Sequence, residues 1–121
     1  MKSARTGKGL APLFAVIALL GLMAAAVAFE LHRNEKKERM KCLMNQRNIQ
    51  QAYRGYSCCE GVLEGGRVDQ EFIISKYLLE APRCPSGGTY SWSAVVPPVG
   101  TLASPCSDPK HAPSPGTADD W

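Results

Sequence analysis

The stretch LAPLFAVIALLGLMAAAVAF, residues 10–29, followed without a break by ELHRNEKKERMKCLMNQRNIQQAYRGY, residues 30–56, decides the fold of this chain. The first piece carries no charged side chain over about 20 residues, the length an α-helix needs to cross the hydrocarbon core of a bilayer. The second has no proline, and no glycine before Gly55, and good helix formers dominate it, so the helix is expected to continue. Cys42, Ile49 and Tyr56, with Asn45, Ala52 and Tyr53 between them, recur at the spacing of one helix face. One helix of about 45 residues is therefore predicted, apolar in its first half and amphipathic in its second.

With 121 residues in all, about 80 are left for everything outside the apolar run, a size at which a hydrophobic core is marginal and crosslinks, an oligomer or a membrane commonly supply the rest. Five cysteines suit that expectation. The 14 basic and 11 acidic residues leave a formal charge of +3. The basic side chains cluster at Lys2, Arg5 and Lys8 before the run and at Arg33, Lys36, Lys37, Arg39 and Lys41 after it, the pattern of membrane flanks and not of a nucleic-acid surface.

Three readings compete for the run. It is a permanent transmembrane anchor, a secretory signal peptide whose A-x-A site is Ala26-Val27-Ala28, or the N-terminal helix of a pilin-type subunit held in the membrane until assembly. The excess of basic residues after the run, taken alone, puts the C-terminal side in the cytoplasm. Cysteines in Pro-rich turns point to an oxidising compartment instead, and Glu30, Glu35 and Glu38 dilute the downstream positive charge. The C-terminal part is therefore expected outside the cytoplasm.

Beyond the helix, SCCEGVLEGGRV reads as loop because of Gly61, Gly65 and Gly66. A short helix follows, with Asp69 as N-cap, Phe72, Ile73, Tyr77 and Leu78 on its buried side and Pro82 after its end. GGTYSWSAVV reads as a strand with Tyr90, Trp92 and Ala94 on one face, and VGTLA as a second short strand. Residues 104–121 form a Pro/Ser-rich tail. The expected class is α+β: a long N-terminal helix, transmembrane then amphipathic, packed on a small C-terminal domain with a short helix and a few antiparallel strands.

Three segments, CLMNQRNI (42–49), PRCPSGGTY (82–90) and PCSDPKH (105–111), resemble in order and spacing the motifs of small bacterial pilin-like proteins, a group within the type IV pilins and type II secretion pseudopilins. The likeness covers roughly residues 8–113. It implies a leader over residues 1–9 that a prepilin peptidase removes after Lys8-Gly9, leaving an N-methylated Leu10 where the family usually has phenylalanine. It implies a filament-core helix over residues 10–29, its amphipathic continuation over 30–56 and a small globular domain over 57–113; residues 114–121, beyond the likeness, read as a flexible tail from their composition. The partners so implied are other pilin or pseudopilin subunits, the bacterial inner membrane, crossed once, and the peptidase. The glutamate that the family places at the fifth mature position is replaced by Phe14. An unpaired amine in an apolar bundle is costly, so this loss points to a minor or tip subunit, or to an anchored or secreted protein that no longer assembles.

Cys84 and Cys106 lie in Pro-flanked loops on either side of the predicted strand, and the resemblance points to the same two residues as a disulfide pair. Such a bond would contribute about 3 kcal/mol by closing a loop of about 20 residues. Cys42 falls on the helix stripe, free or paired with Cys58 or Cys59, and the adjacent Cys58-Cys59 is not expected to bond to itself. A metal centre drawn from Cys58, Cys59, Cys84, Cys106 and His111 is the alternative, but no C-x-x-C pair announces one, so neither metal nor cofactor is expected. His111 reads as a turn residue. No serine sits in a nucleophile elbow and neither histidine has a sequence-placed partner, so no enzymatic activity is expected.

Overall fold

A computed structural model describes residues 3–121, with side chains from residue 9 onward. Of the predicted processing signal, Gly9 and Leu10 fall within the described side chains, whereas the side chain of Lys8 and the first two residues of the leader lie outside them.

Helix α1, Ser3–Glu60, runs through 58 residues. It extends past the predicted end because Ser57, Cys58, Cys59 and Glu60 remain helical. It stops where Gly61 takes φ +68°, the left-handed conformation that closes many helix C-termini, and the Ser57 hydroxyl donates to the Val62 carbonyl at 2.6 Å.

The chain divides into two compact units, Met1–Lys36 and Lys37–Trp121. In the first, the only described element is the helix itself, and its apolar side chains are bare: Phe14 is 65% exposed, Leu22 69% and Phe29 62%. This helix is long and apolar enough to cross a membrane.

In the second unit, α1 from Lys37 onward carries a small domain. Helix α2, Gln70–Ile73, opens at Asp69, whose carboxylate accepts from Phe72 N–H at 3.2 Å, as the sequence predicts. It runs on into a single π-helical turn, Ile74–Leu78, and ends at Leu79 with φ +69°. Ile49, Ala52, Tyr53, Ile73 and Ala103 form the core, flanked by Tyr56, Val68, Tyr77, Leu78, Tyr90 and Trp92. Trp92 stacks on Tyr53 at 6.2 Å between ring centroids. The Tyr53 hydroxyl donates to the Ser93 carbonyl at 2.7 Å, and burial pushes its pKa up to about 12, so it stays a donor at any ordinary pH.

The predicted antiparallel strands are not present among the described residues, and the α+β expectation is corrected to a helical architecture with irregular C-terminal segments. Residues 89–93 do run antiparallel to 103–107, but only the isolated bridge Tyr90–Cys106 forms, with a second at Arg67–Val95. The reason lies in three missing reciprocal bonds. Ser91 N–H reaches the Pro105 carbonyl, and Pro105 has no N–H to return. Ser93 N–H reaches the Ala103 carbonyl, but Ala103 N–H is taken by the Gln50 side chain at 2.7 Å. Ser107 N–H reaches the Thr89 carbonyl, while Thr89 N–H goes to the Ser107 hydroxyl at 3.0 Å. Each pairing is half of a ladder rung.

Gln50 therefore stands where a neighbouring strand would, accepting from Ala103 N–H and donating to the Thr101 carbonyl at 3.0 Å. Gln50→Leu is expected to strand both groups and to lower stability by about 2–4 kcal/mol. The same change at the exposed neighbour Gln51 should move it by less than about 0.5 kcal/mol. Urea unfolding of the detergent-solubilised protein, followed by tryptophan fluorescence, measures both.

Candidate functional site

Where the C-terminal segments meet α1, four side chains with metal-binding atoms converge. The Sγ atoms of Cys42, Cys84 and Cys106 and a ring nitrogen of His111 all lie within 4.8 Å of one another. Cys42, Cys84 and His111 are buried and Cys106 half-buried. His111 Nδ1 is 3.3 Å from Cys84 Sγ and 4.0 Å from Cys106 Sγ.

Each donor is placed by a local device. Cys42 comes from α1, on the buried stripe that also holds Gln46, Ile49 and Tyr53. Cys84 opens a turn closed by Gly87 N–H to its carbonyl at 3.1 Å, and its sulfur accepts from the N–H groups of Ser86 and Gly88. Gly87 has φ +82°, which reverses the chain and aims these N–H groups back at the sulfur. Cys106 accepts likewise from Asp108 N–H. His111 ends the 3₁₀ turn Pro109–His111, capped by Asp108, whose carboxylate accepts from Lys110 N–H at 2.9 Å. The other oxygen of that carboxylate stands 3.7 Å from His111 Nε2, at the ring edge away from the sulfurs.

A polar shell surrounds the four. Tyr90 hydroxyl donates to Cys42 Sγ at 3.3 Å, and Asn45 holds that hydroxyl from 3.2 Å. Gln46 donates to the His111 carbonyl at 2.9 Å and lies 3.5 Å from Cys42 Sγ. The two loop thiols differ. Burial raises the pKa of Cys84, but the Ser86 and Gly88 N–H groups, His111 and Cys42 outweigh it and bring it down to about 7. Burial dominates at Cys106 and pushes it up to about 11.

The disulfide expected between Cys84 and Cys106 is not formed: all five cysteines are free thiols. The two residues do come together as the Pro-flanked loops suggest, but with Cys42 and His111 as third and fourth members of the same cluster. Cys42 pairs with neither Cys58 nor Cys59. Those two lie exposed on the last turn of α1 and take no part in the cluster, contrary to the metal-ligand set weighed from the sequence. His111, read as a turn residue, is buried at 4% exposure. Gly9 and Leu10 are exposed on α1, remote in sequence from any of these groups.

Three thiols and one imidazole at these separations suit a tetrahedral, four-coordinate cation and leave no coordination position for a substrate. Among known proteins, no family model, no curated sequence and no solved structure matches this chain.

Gly88 lines the cluster. A Cβ there would sit 2.8 Å from Cys106 Sγ and 3.2 Å from Cys84 Sγ. Gly88→Ala is expected to force the two sulfurs apart and to cost about 1–3 kcal/mol, read as a lower melting temperature. An alanine at Gly9, which has open space around it, should leave the melt unchanged.

Proposed function

We propose that the chain is a pilin-like or pseudopilin structural subunit that assembles through the apolar part of α1, in a minor or tip position. The observation that carries this reading is the bare apolar surface of residues 10–29 on a helix that continues unbroken to Glu60. Each buried Leu, Ile or Phe contributes about 1.5–3 kcal/mol, so such a surface requires lipid or other helices around it. A subunit that moves from one to the other uses the same side chains twice.

Pro12 supports removal of a leader after Gly9. Inside a continuous helix it deprives the carbonyl four residues back of its partner, whereas as the third residue of a mature chain it sits in the first turn, where no partner is needed. Phe14 supports the restriction to a minor position. A subunit without the carboxylate has nothing to neutralise the terminal amine of a neighbour, a defect tolerable once per filament and not at every interface.

Intact-mass and N-terminal analysis of the protein from a host with a prepilin peptidase tests the reading. The expected product begins at Leu10 with a methylated amine, and Gly9→Val should abolish its formation. The second reading, a membrane-anchored or secreted small binding protein that no longer assembles, is favoured by Phe14 and Ala26-Val27-Ala28, and its secreted form requires a chain that begins at Phe29. Orientation has its own readout. Cys58 and Cys59 are exposed, so a membrane-impermeant maleimide should label them in intact spheroplasts if the C-terminal domain lies outside, and only after lysis if it lies in the cytoplasm.

A further inference from the structure

The geometry points to a structural zinc site: we infer that Cys42, Cys84, Cys106 and His111 are the four ligands of one Zn²⁺. The inference stands on the small domain alone and is independent of the filament reading.

The donor set is the first reason. Cys₃His is an established composition of closed structural zinc sites, and soft thiolates with an imidazole at tetrahedral corners favour zinc among the common divalent ions. Metal–ligand bonds of about 2.3 Å to sulfur and 2.0 Å to nitrogen put tetrahedral donors about 3.5–3.8 Å apart. The separations of 3.3 and 4.0 Å from His111 Nδ1 to two of the sulfurs bracket that range, and no pair exceeds 4.8 Å.

The surroundings are the second reason. Zinc requires thiolates, and each sulfur already faces hydrogen-bond donors that spread its negative charge: the N–H groups of Ser86 and Gly88 at Cys84, that of Asp108 at Cys106, and Tyr90 and Gln46 at Cys42. His111 presents Nδ1 to the sulfurs, while its Nε2 lies 3.7 Å from the Asp108 carboxylate on the side away from them. Gly88 leaves free the space that any side chain would take from two ligands. On binding, the three S–H protons leave to water and the cation takes their place, so no oxidant or reductant is needed.

Such an ion joins three places far apart in the chain: one turn of α1, the loop after α2 and the C-terminal 3₁₀ turn. It does the work assigned to the Cys84–Cys106 disulfide by sequence, and in addition ties both loops to the helix.

Elemental analysis of the full-length protein, purified in detergent without chelators, is expected to find about one zinc per chain. Cobalt added to the stripped protein should give the tetrahedral ligand-field bands and thiolate charge-transfer absorption of an S₃N site. The double variant Cys58→Ser/Cys59→Ser should keep full zinc content, and His111→Cys should keep it as a four-thiolate site. Cys84→Ser and Cys106→Ser are expected to lose the metal and to melt early in reducing and oxidising buffer alike. Should these variants fail to fold, the cobalt spectrum of the unaltered chain and the double variant still decide the matter. A protein without stoichiometric zinc whose mass is two hydrogens low, with Cys84 linked to Cys106, would overturn the assignment, as would a cobalt spectrum lacking thiolate charge transfer.

Discussion

The C-terminal half of this protein depends on side chains of one helix hydrogen-bonding to the backbone of segments that make almost no regular structure of their own. Asn45 donates to the Arg83 carbonyl, Gln46 to that of His111, Gln50 to that of Thr101, Tyr53 to that of Ser93 and Arg54 to those of Pro97 and Trp121. In most small domains those carbonyls would be satisfied by a neighbouring strand. Here proline removes the donors a ladder needs, and polar side chains of α1 replace it. The arrangement explains why Gln46 and Gln50 are buried on a stripe otherwise made of Cys42, Ile49, Ala52 and Tyr53.

A domain held in this way has few apolar groups, and its core of five buried residues is small for the chain it must order. The loops after α2 and at the C-terminus lie beside α1 at the level of Cys42, where Ser86 also donates to Glu38 and Arg39 to the Lys110 carbonyl. These outer bonds are exposed and contribute little singly. The cluster of Cys42, Cys84, Cys106 and His111 is buried, and a cation at its centre adds four bonds where the hydrophobic contribution is weakest. That placement also bears on compartment: thiols that bind zinc lose the weight they carry as a sign of disulfides and an oxidising environment.

The two halves of α1 divide the labour. From Leu10 to Phe29 its side chains are apolar in every direction and uncovered, a stretch long and apolar enough to cross a membrane. From Lys37 onward its faces differ, and one of them organises the small domain.

The helix itself was legible in the sequence because its signals are local: an uncharged run, an absence of breakers, a stripe at helical spacing. Asp69 as a cap was legible for the same reason. The strands were misread because alternation in GGTYSWSAVV speaks only of side-chain facing, whereas a ladder needs donors on both partners, and Pro105 and Gln50 withdraw them. Cys84 and Cys106 could be brought together from their Pro-flanked loops, and Cys42 and His111 stood in the very segments that carry the pilin resemblance. What no local pattern carried was that all four meet. Their donors come from a helix, a turn and a 3₁₀ end separated by as many as 69 positions between Cys42 and His111, so chain spacing says nothing of their distance. Only the packing of those loops against α1 decides it.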